Sequence, residues 1–148
     1  MTEQTWILRV APEPASCRVA RTELARFLTP LVDDATTADA QLVLHELVAN
    51  GVDHARTPML LTARVRDGAV RLRVRDGCAV PGREQPFDPA ALRGRGLQIV
   101  GRLSRRWGVR RHRGGKTTWA DLGVARDRPA ADLARDRPAA DLQLVRGG

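Results

Sequence analysis

Two stretches of alternating apolar and polar residues, 59–66 and 69–76, flank the pair Asp67-Gly68. Alternation with a period of two predicts β-strands with one buried face, and an Asp-Gly pair between two such strands favours a tight hairpin turn. This segment is incompatible with a helix, because a helical period would scatter its valines and leucines around all sides. The chain is therefore constrained to contain an antiparallel sheet with one buried face.

The remaining elements complete a fold with one layer of helices. A second pair of short strands flanks Gly114-Gly115, and TWILRV near the N-terminus predicts a further strand. Apolar spacing of three and four residues predicts three helices: one from Ser16, with Ser16 as N-cap, to Leu31; one from Thr36 or Thr37 to about His54; and one from Gly96 to about Arg106. We expect an α+β two-layer sandwich, with a mixed, mostly antiparallel sheet and helices on one face.

The C-terminal residues differ from the rest. ARDRPAADL at 125–133 recurs unchanged at 134–142, and its prolines and alternating charges leave little to bury. We predict a single domain at residues 1–124, followed by a disordered tandem-repeat tail at 125–148. Residues 77–95 are rich in glycine, proline and arginine and are predicted to form a loop within the domain.

The charge distribution narrows the class of partner. The 148 residues include 25 basic and 17 acidic side chains, a formal net charge of +8. Residues 1–55 hold four basic and eight acidic residues (net −4), whereas 56–124 hold sixteen basic and five acidic ones (net +11). A phosphate-bearing or polyanionic partner is therefore favoured for the second half. No apolar run approaches the ~18 residues of a membrane helix, and no secretory signal is recognisable, so we expect a cytoplasmic protein.

Common catalytic motifs do not survive inspection. His45-Glu46 begins like the zinc-protease motif HExxH, but Ala49 stands where the second histidine belongs. Gly115-Lys116-Thr117 resembles the end of a phosphate-binding P-loop, yet Arg110 replaces the first glycine of that loop. With two cysteines in the chain, neither a disulfide scaffold nor a cysteine metal site is expected.

One group of polar residues has a spacing that fits a catalytic or ligand-binding site. Glu46 and Asn50 are four residues apart on the second predicted helix and therefore share a face. An amide oxygen suits Mg²⁺, and a carboxylate suits the orientation or deprotonation of an attacking hydroxyl; an ordinary solvated polar face is the alternative. Asp76 ends a strand, where its carboxylate can accept a hydrogen bond from an exocyclic amine. Gly94 and Gly96 allow backbone N–H groups at a helix start to approach an anion.

Taken in order, these segments resemble the GHKL ATPase superfamily, with its Bergerat nucleotide-binding fold. Within it, the chain resembles the histidine-kinase-like ATPase domain of bacterial serine/threonine-kinase anti-sigma factors. ELVANGVDHA is similar to the N-box, VRDG to the first glycine box, GRGLQIV to the second glycine box, and GGKTTWADL to the C-terminal strand signature. The resemblance covers about residues 5–122.

The resemblance implies ATP and Mg²⁺ as ligands and assigns roles to individual residues. It implies Glu46 as catalytic base, Asn50 as Mg²⁺ ligand and Asp76, followed by Gly77, as the contact to the adenine amine. The residues it implies along the phosphates are Gly94, Arg95, Gly96 and Leu97. It further implies that Thr117 lies near the adenine-binding Asp76.

The implied function is an ATP-dependent serine/threonine kinase that acts as an anti-sigma factor in transcription regulation. Its implied partners are a STAS-type anti-sigma-factor antagonist, as substrate, and a sigma factor; homodimers are typical of the family. Cys78 and Val80 occupy the two positions of the first glycine box that are glycines in the wider family. Because of that departure, a module that senses ATP without catalysis is an alternative function. The basic second half makes a nucleic-acid-binding domain another alternative, but that function would leave the ordered motifs unexplained.

Overall fold

The computed structural model describes residues 2–77 and 95–123, with Arg95 described through its backbone alone. The predicted tail, Cys78, Val80 and most of the predicted loop lie outside the described residues. The described elements are β1 (Gln4–Val10), α1 (Ala15–Leu28), α2 (Asp34–Asn50), β2 (Met59–Arg66), β3 (Ala69–Asp76), α3 (Arg95–Leu103), β4 (Arg106–His112) and β5 (Gly115–Leu122). Among them, no helix combines the length and apolarity that a membrane span requires.

The five strands form one open sheet in the order β1-β2-β3-β5-β4, and all four pairings between them are antiparallel. Both predicted hairpins are present, as β2-β3 and β4-β5. The predicted α+β class is confirmed. The described strands contain no parallel pair, although a mixed sheet was expected.

The core lies between the helices and one face of the sheet. Side chains on β2 and β3 alternate between buried and more exposed positions, as the sequence pattern predicts. Burial of each large apolar side chain contributes about 1.5–3 kcal/mol. The fully buried large side chains come from both layers: Leu24, Leu28, Val43, Leu44, Leu47, Val48, Met59, Leu61, Val70, Leu72, Val74 and Val100.

The start of α1 corrects one prediction. The helix begins at Ala15, and Pro14 occupies the N-cap position without a side-chain hydrogen bond. Ser16 lies inside the helix, buried, and its hydroxyl donates to the Ala11 carbonyl oxygen at 2.7 Å. Ser16 as N-cap was therefore wrong: proline is favoured at helix starts, and the serine instead satisfies a carbonyl of the preceding turn.

The limits of α2 also differ from those expected. Asp33 caps the helix by accepting from the Thr36 N–H at 2.6 Å, so α2 begins at Asp34, ahead of the predicted threonines. At its other end α2 stops at Asn50 instead of continuing to His54. A π-helical turn, Gly51–Ala55, follows, with the Arg56 N–H donating to the Gly51 carbonyl at 3.2 Å.

Gly51 has a packing role at this junction. A Cβ placed on Gly51 would overlap the sulfur of Met59, a core residue that is 1% exposed. Glycine costs up to ~1 kcal/mol in helix propensity relative to alanine, and here that cost is offset by the close approach of β2 to the end of α2. The C-terminal end of α2 is thereby held against the start of β2.

The predicted third helix ends early. Helix α3 ends at Leu103 and not at Arg106, because Arg106 pairs with Asp121 as the first residue of β4. The Arg105 N–H donates to the Asp121 carbonyl at 2.7 Å and fixes the turn between helix and strand.

The sheet face opposite the helices is dominated by arginine, and we call it the arginine face. The alternation of burial and the strand registers assign to it eight arginines from four strands, β1 to β4: Arg9, Arg64, Arg66, Arg71, Arg73, Arg75, Arg106 and Arg110. Trp119 lies on this face and is half-buried. Its ring lies 5.3 Å from the Arg71 guanidinium carbon, a cation–π arrangement.

Asp121 is the one acidic residue at the described strand positions of the arginine face. It accepts two hydrogen bonds from Arg71, at 2.5 and 2.7 Å, and one from Arg106 at 3.2 Å. Burial alone would raise the pKa of Asp121, but the hydrogen bonds and charges of the two arginines outweigh it, and the net pKa is lowered. Arg71 lies directly opposite Asp121 across the β3-β5 pair, so this ion pair also fixes the register.

Asp121→Asn is expected to lower the free energy of unfolding at neutral pH by about 1–3 kcal/mol, because charge-assisted hydrogen bonds are lost. The folded-state pKa lies below the ordinary 3.8, so this stabilisation is complete above that pH and is lost as pH falls through the folded value. Urea unfolding should therefore show the two proteins converging below pH 3.8. The exposed turn variant Asp67→Asn serves as control. A wild-type–variant difference that does not change with pH would contradict this account.

Candidate functional site

Glu46 and Asn50 occupy the last turns of α2. Both side chains are half-buried, whereas their neighbours Leu47 and Val48 are in the core. The predicted common face of Glu46 and Asn50 thus lies at the edge of the helix layer. This position is open to a ligand and close enough to the core to be rigid.

The Glu46 carboxylate lies against the first turn of α3. A Cβ placed on Gly96 would come within 2.6 Å of Glu46 Oε2. The backbone of α3 can approach the carboxylate this closely because Gly96 has no side chain. The structure therefore brings together two predicted site residues that are fifty positions apart in the sequence.

The first turn of α3 has the properties of an anion site. The first N–H groups of a helix have no partner within it and carry a partial positive charge. Gly96 and Leu97 belong to this turn and are half-buried. Gly94 and the side chain of Arg95, predicted to border the same anion, lie outside the described residues.

Asp76 ends β3 and points toward the helix layer. It is 4% exposed, and Lys116 of the neighbouring β5 places its ammonium nitrogen 3.5 Å from Oδ2. A buried carboxylate is costly unless it is paired, and Lys116 provides that pairing. The Lys116 side chain is 14% exposed and that of Asp76 2%, so the lysine is the more accessible member of the pair.

Close backbone packing surrounds Asp76. A Cβ on Gly115 would overlap the Asp76 carbonyl oxygen, so the start of β5 requires glycine at this position. The Gly77 N–H donates to Thr57 Oγ1 at 2.8 Å, which ties the end of β3 to the segment after the π-helical turn. Since Met59 pairs with Asp76 and packs on Gly51, the ends of α2 and β3 lie at the same end of the molecule.

Thr117 does not lie where the resemblance implied. It pairs with Arg75 and Arg110, residues of the arginine face, and its hydroxyl hydrogen-bonds His112 Nε2 at 3.1 Å. Asp76 is on the opposite face of the sheet. Thr118 is buried, pairs with Val74 and shares the face of Asp76.

The sequence contains a signal that places Thr118 and Lys116 beside Asp76, although the motifs did not assign them to the site. Successive residues of a strand point to opposite faces, and Ala120 and Leu122 are the buried residues of β5. Counting back in twos from Leu122 places Thr118 and Lys116, and not Thr117, on the helix-facing side.

The negative charges of Glu46 and Asp53 both act on Cys17 of α1. The pKa of Cys17 is raised, chiefly by burial; Arg21 lowers it, and the charges of Asp53 and Glu46 raise it further. Cys17 of α1 therefore experiences the negative potential of the α2 end and stays a thiol.

Comparison with known proteins identifies the class of domain. A family model described as histidine kinase-like ATPase domain matches residues 10–122. The chain belongs to this family, as its motifs predict. A search of curated proteins finds no significant match.

Among solved structures, the fold is similar to the crystal structure of the RsbU and RsbW domains of Rv1364c from Mycobacterium tuberculosis, with a TM-score of 0.62. The sequence identity is 20%, over 80% of this chain and 32% of that one. At this identity the likeness shows a shared fold. This chain spans about a third of the length of the protein it matches.

Gly115→Ala is expected to lower the free energy of unfolding by more than about 2 kcal/mol, because its Cβ must displace the backbone of Asp76. Gly114→Ala is the matched control: its φ of +89° is strained for alanine, but no atom lies within 4 Å of the added Cβ. That strain costs roughly 1–2 kcal/mol. Thermal or urea unfolding of both variants measures the difference. Equal stabilities would show that β5 does not pack on Asp76 in this way.

Proposed function

We propose that this domain binds Mg-ATP and transfers the γ-phosphate to a serine or threonine hydroxyl of a partner protein. The observation that supports this most strongly is the contact between Glu46 and the first turn of α3. It brings a carboxylate suited to act on a hydroxyl next to a helix start suited to hold phosphate.

In this proposal the adenine is recognised at the end of β3. The carboxylate of Asp76 accepts a hydrogen bond from the exocyclic amine, and Gly77 allows the base to approach closely. Thr118 replaces Thr117 as the residue beside Asp76, since its side chain shares the face of Asp76. Lys116 pairs with the Asp76 carboxylate and holds it in place.

The phosphates lie along the first turn of α3, with N–H groups of Gly96 and Leu97 as donors and Gly94 and Arg95 as further contacts. A phosphate beside Glu46 would be repelled by that carboxylate, and a bound divalent cation would offset this repulsion. The amide oxygen of Asn50, one helical turn from Glu46, is a suitable ligand for Mg²⁺. When bound, Mg²⁺ neutralises charge on the phosphate oxygens.

Glu46 then acts on the incoming hydroxyl. It orients the hydroxyl for in-line attack and accepts its proton; the new bond joins the hydroxyl oxygen to the γ-phosphorus, and ADP leaves. Most of the acceleration in such reactions comes from positioning and charge stabilisation. These demands fit a carboxylate fixed on a well-packed helix.

The proposed partners follow from the resemblance to bacterial anti-sigma factors. A STAS-type antagonist would carry the acceptor hydroxyl, and a sigma factor would be the sequestered target, in the cytoplasm. The similarity of fold to the RsbU and RsbW domains of Rv1364c supports this choice. An ATP sensor without phosphate transfer is the second candidate, supported by Cys78 and Val80 in place of glycine-box residues.

Two variants separate binding from transfer. Asp76→Asn is expected to abolish saturable Mg-ATP binding in calorimetry, because the amide places a donor against the adenine amine. Glu46→Ala is expected to bind Mg-ATP within about threefold of wild type and to lose phosphate transfer by about 10²-fold or more. Asp67→Asn is the control for Asp76→Asn. Binding by wild type without transfer to any STAS-domain acceptor favours the sensor, and no binding by wild type contradicts both functions.

Neighbouring threonines provide a sharper test of the adenine site. Thr118→Val is expected to weaken Mg-ATP binding about tenfold, because a hydroxyl beside the base is replaced by a methyl group of equal size. Thr117→Val, on the arginine face, should change it by less than about twofold. Calorimetry on both variants measures the difference. A larger effect of Thr117→Val than of Thr118→Val would show that Thr117, the residue implied by the motif, is the one beside the adenine.

A further inference from the structure

The arginine face carries more positive charge than its surroundings neutralise. Asp121 is engaged by Arg71 and Arg106, and the exposed Glu3 approaches Arg64 at 4.0 Å. Arg73 and Arg75 of the central strand form no ion pair with any described residue. No described helix covers this face, since α1, α2 and α3 all pack on the other side.

The crowding of these arginines has an energetic cost. Arg64 and Arg71 lie directly opposite each other on β2 and β3, and like charges in that position are destabilising. The pKa of Arg73 is lowered, first by partial burial and then by the charges of Arg64 and Arg71. A neutral side chain would avoid this repulsion, so the domain alone gains nothing from it. A negatively charged partner would remove it.

The centre of the face also offers apolar contact. One cross-strand row runs from Ile7 through Thr62 and Arg73 to Trp119. Ile7 is 62% exposed, and the half-buried Trp119 is held by Arg71. Tryptophan and arginine are the residues most enriched among those that dominate protein–protein binding.

We propose that the arginine face docks the acidic surface of a protein partner, with Arg73 and Arg75 as the charged centre and Trp119 as the apolar anchor. The proposal is independent of the ATP-dependent function, because Asp76 and Gly96 lie on the other side of the sheet. A partner docked here leaves the candidate nucleotide site open.

Other occupants fit less well. Single-stranded nucleic acid binds through several stacking aromatic residues, and Trp119 is the one Trp, Tyr or Phe side chain at the described strand positions of this face. Duplex grooves receive a helix or a narrow β-ribbon and not a broad sheet. A second copy would bring two arginine faces together, and these repel each other.

The test uses a short poly-L-glutamate peptide as probe, with oligo-dT and duplex DNA of similar charge as competitors. Arg73→Gln/Arg75→Gln is compared with Arg18→Gln/Arg26→Gln, which removes the same charge from the exposed side of α1. At equal ionic strength, the first pair should weaken poly-glutamate binding about tenfold or more, and the second about twofold or less. Arg110→Gln, at the sheet edge, should act in the same direction as the first pair.

A local readout separates docking from general charge attraction. Peptide binding should change the tryptophan emission of wild type, and Trp119→Phe should remove most of that change, since Trp6 and Trp107 pack on the other side. Arg73→Gln/Arg75→Gln should be at least as stable as wild type and bind Mg-ATP within about twofold.

Three results would overturn the proposal. Equal losses of poly-glutamate affinity in the two double variants would show that binding depends on net charge and not on the arginine face. Tighter binding of either nucleic acid than of the peptide would make the face a nucleic-acid surface. Self-association that is lost in Arg73→Gln/Arg75→Gln would make it an interface between copies. Failure of wild type to bind ATP would contradict the proposed function and leave this inference standing.

Discussion

The register between β3 and β5 is the constraint on which both faces of the molecule depend. Two cross-strand ion pairs hold it: Arg71 with Asp121 near one end, and Asp76 with Lys116 at the other. A slip of one residue would exchange the faces of every side chain on β5. Thr118 and Lys116 would then leave the neighbourhood of Asp76, and Asp121 would be buried under the helices without its arginines.

This register lets one small sheet serve two chemically different surfaces. On the helix side, Asp76 pairs with Lys116, and Glu46 of α2 touches the turn of α3 that contains Gly96. On the other side lies the arginine face, where Asp121 forms ion pairs with Arg71 and Arg106. Glycines recur where elements approach closely: Gly51 admits Met59, Gly96 admits Glu46 and Gly115 admits the Asp76 backbone. The nucleotide site that we propose is thus an assembly of element ends rather than a single loop.

Much of this arrangement could be predicted from the sequence because its signals are local. The Asp67-Gly68 hairpin and the alternation of β2 and β3 predicted the sheet, and the spacing of Glu46 and Asn50 predicted a shared helix face. Ordered motifs predicted the family, which the match over residues 10–122 confirms. The predictions that were wrong concern positions where two residues fit the same local pattern. Ser16 and Asp33 both suit a helix cap, and Thr117 and Thr118 differ only in the face they occupy. The close approach of Met59 to Gly51, where the π-helical turn begins, is a contact between distant segments that no local pattern contains.

In the proposed function, ATP binds at the ends of α2 and β3 and the starts of α3 and β5. Titration of Mg-ATP into ¹⁵N-labelled protein, followed through the backbone amide resonances, tests this location. We expect saturable shifts at Gly77, Gly96 and Gly115, with Thr62 and Gly108 on the arginine face unchanged. Saturable binding whose shifts concentrate at Thr62 and Gly108, and spare the three glycines, would contradict it.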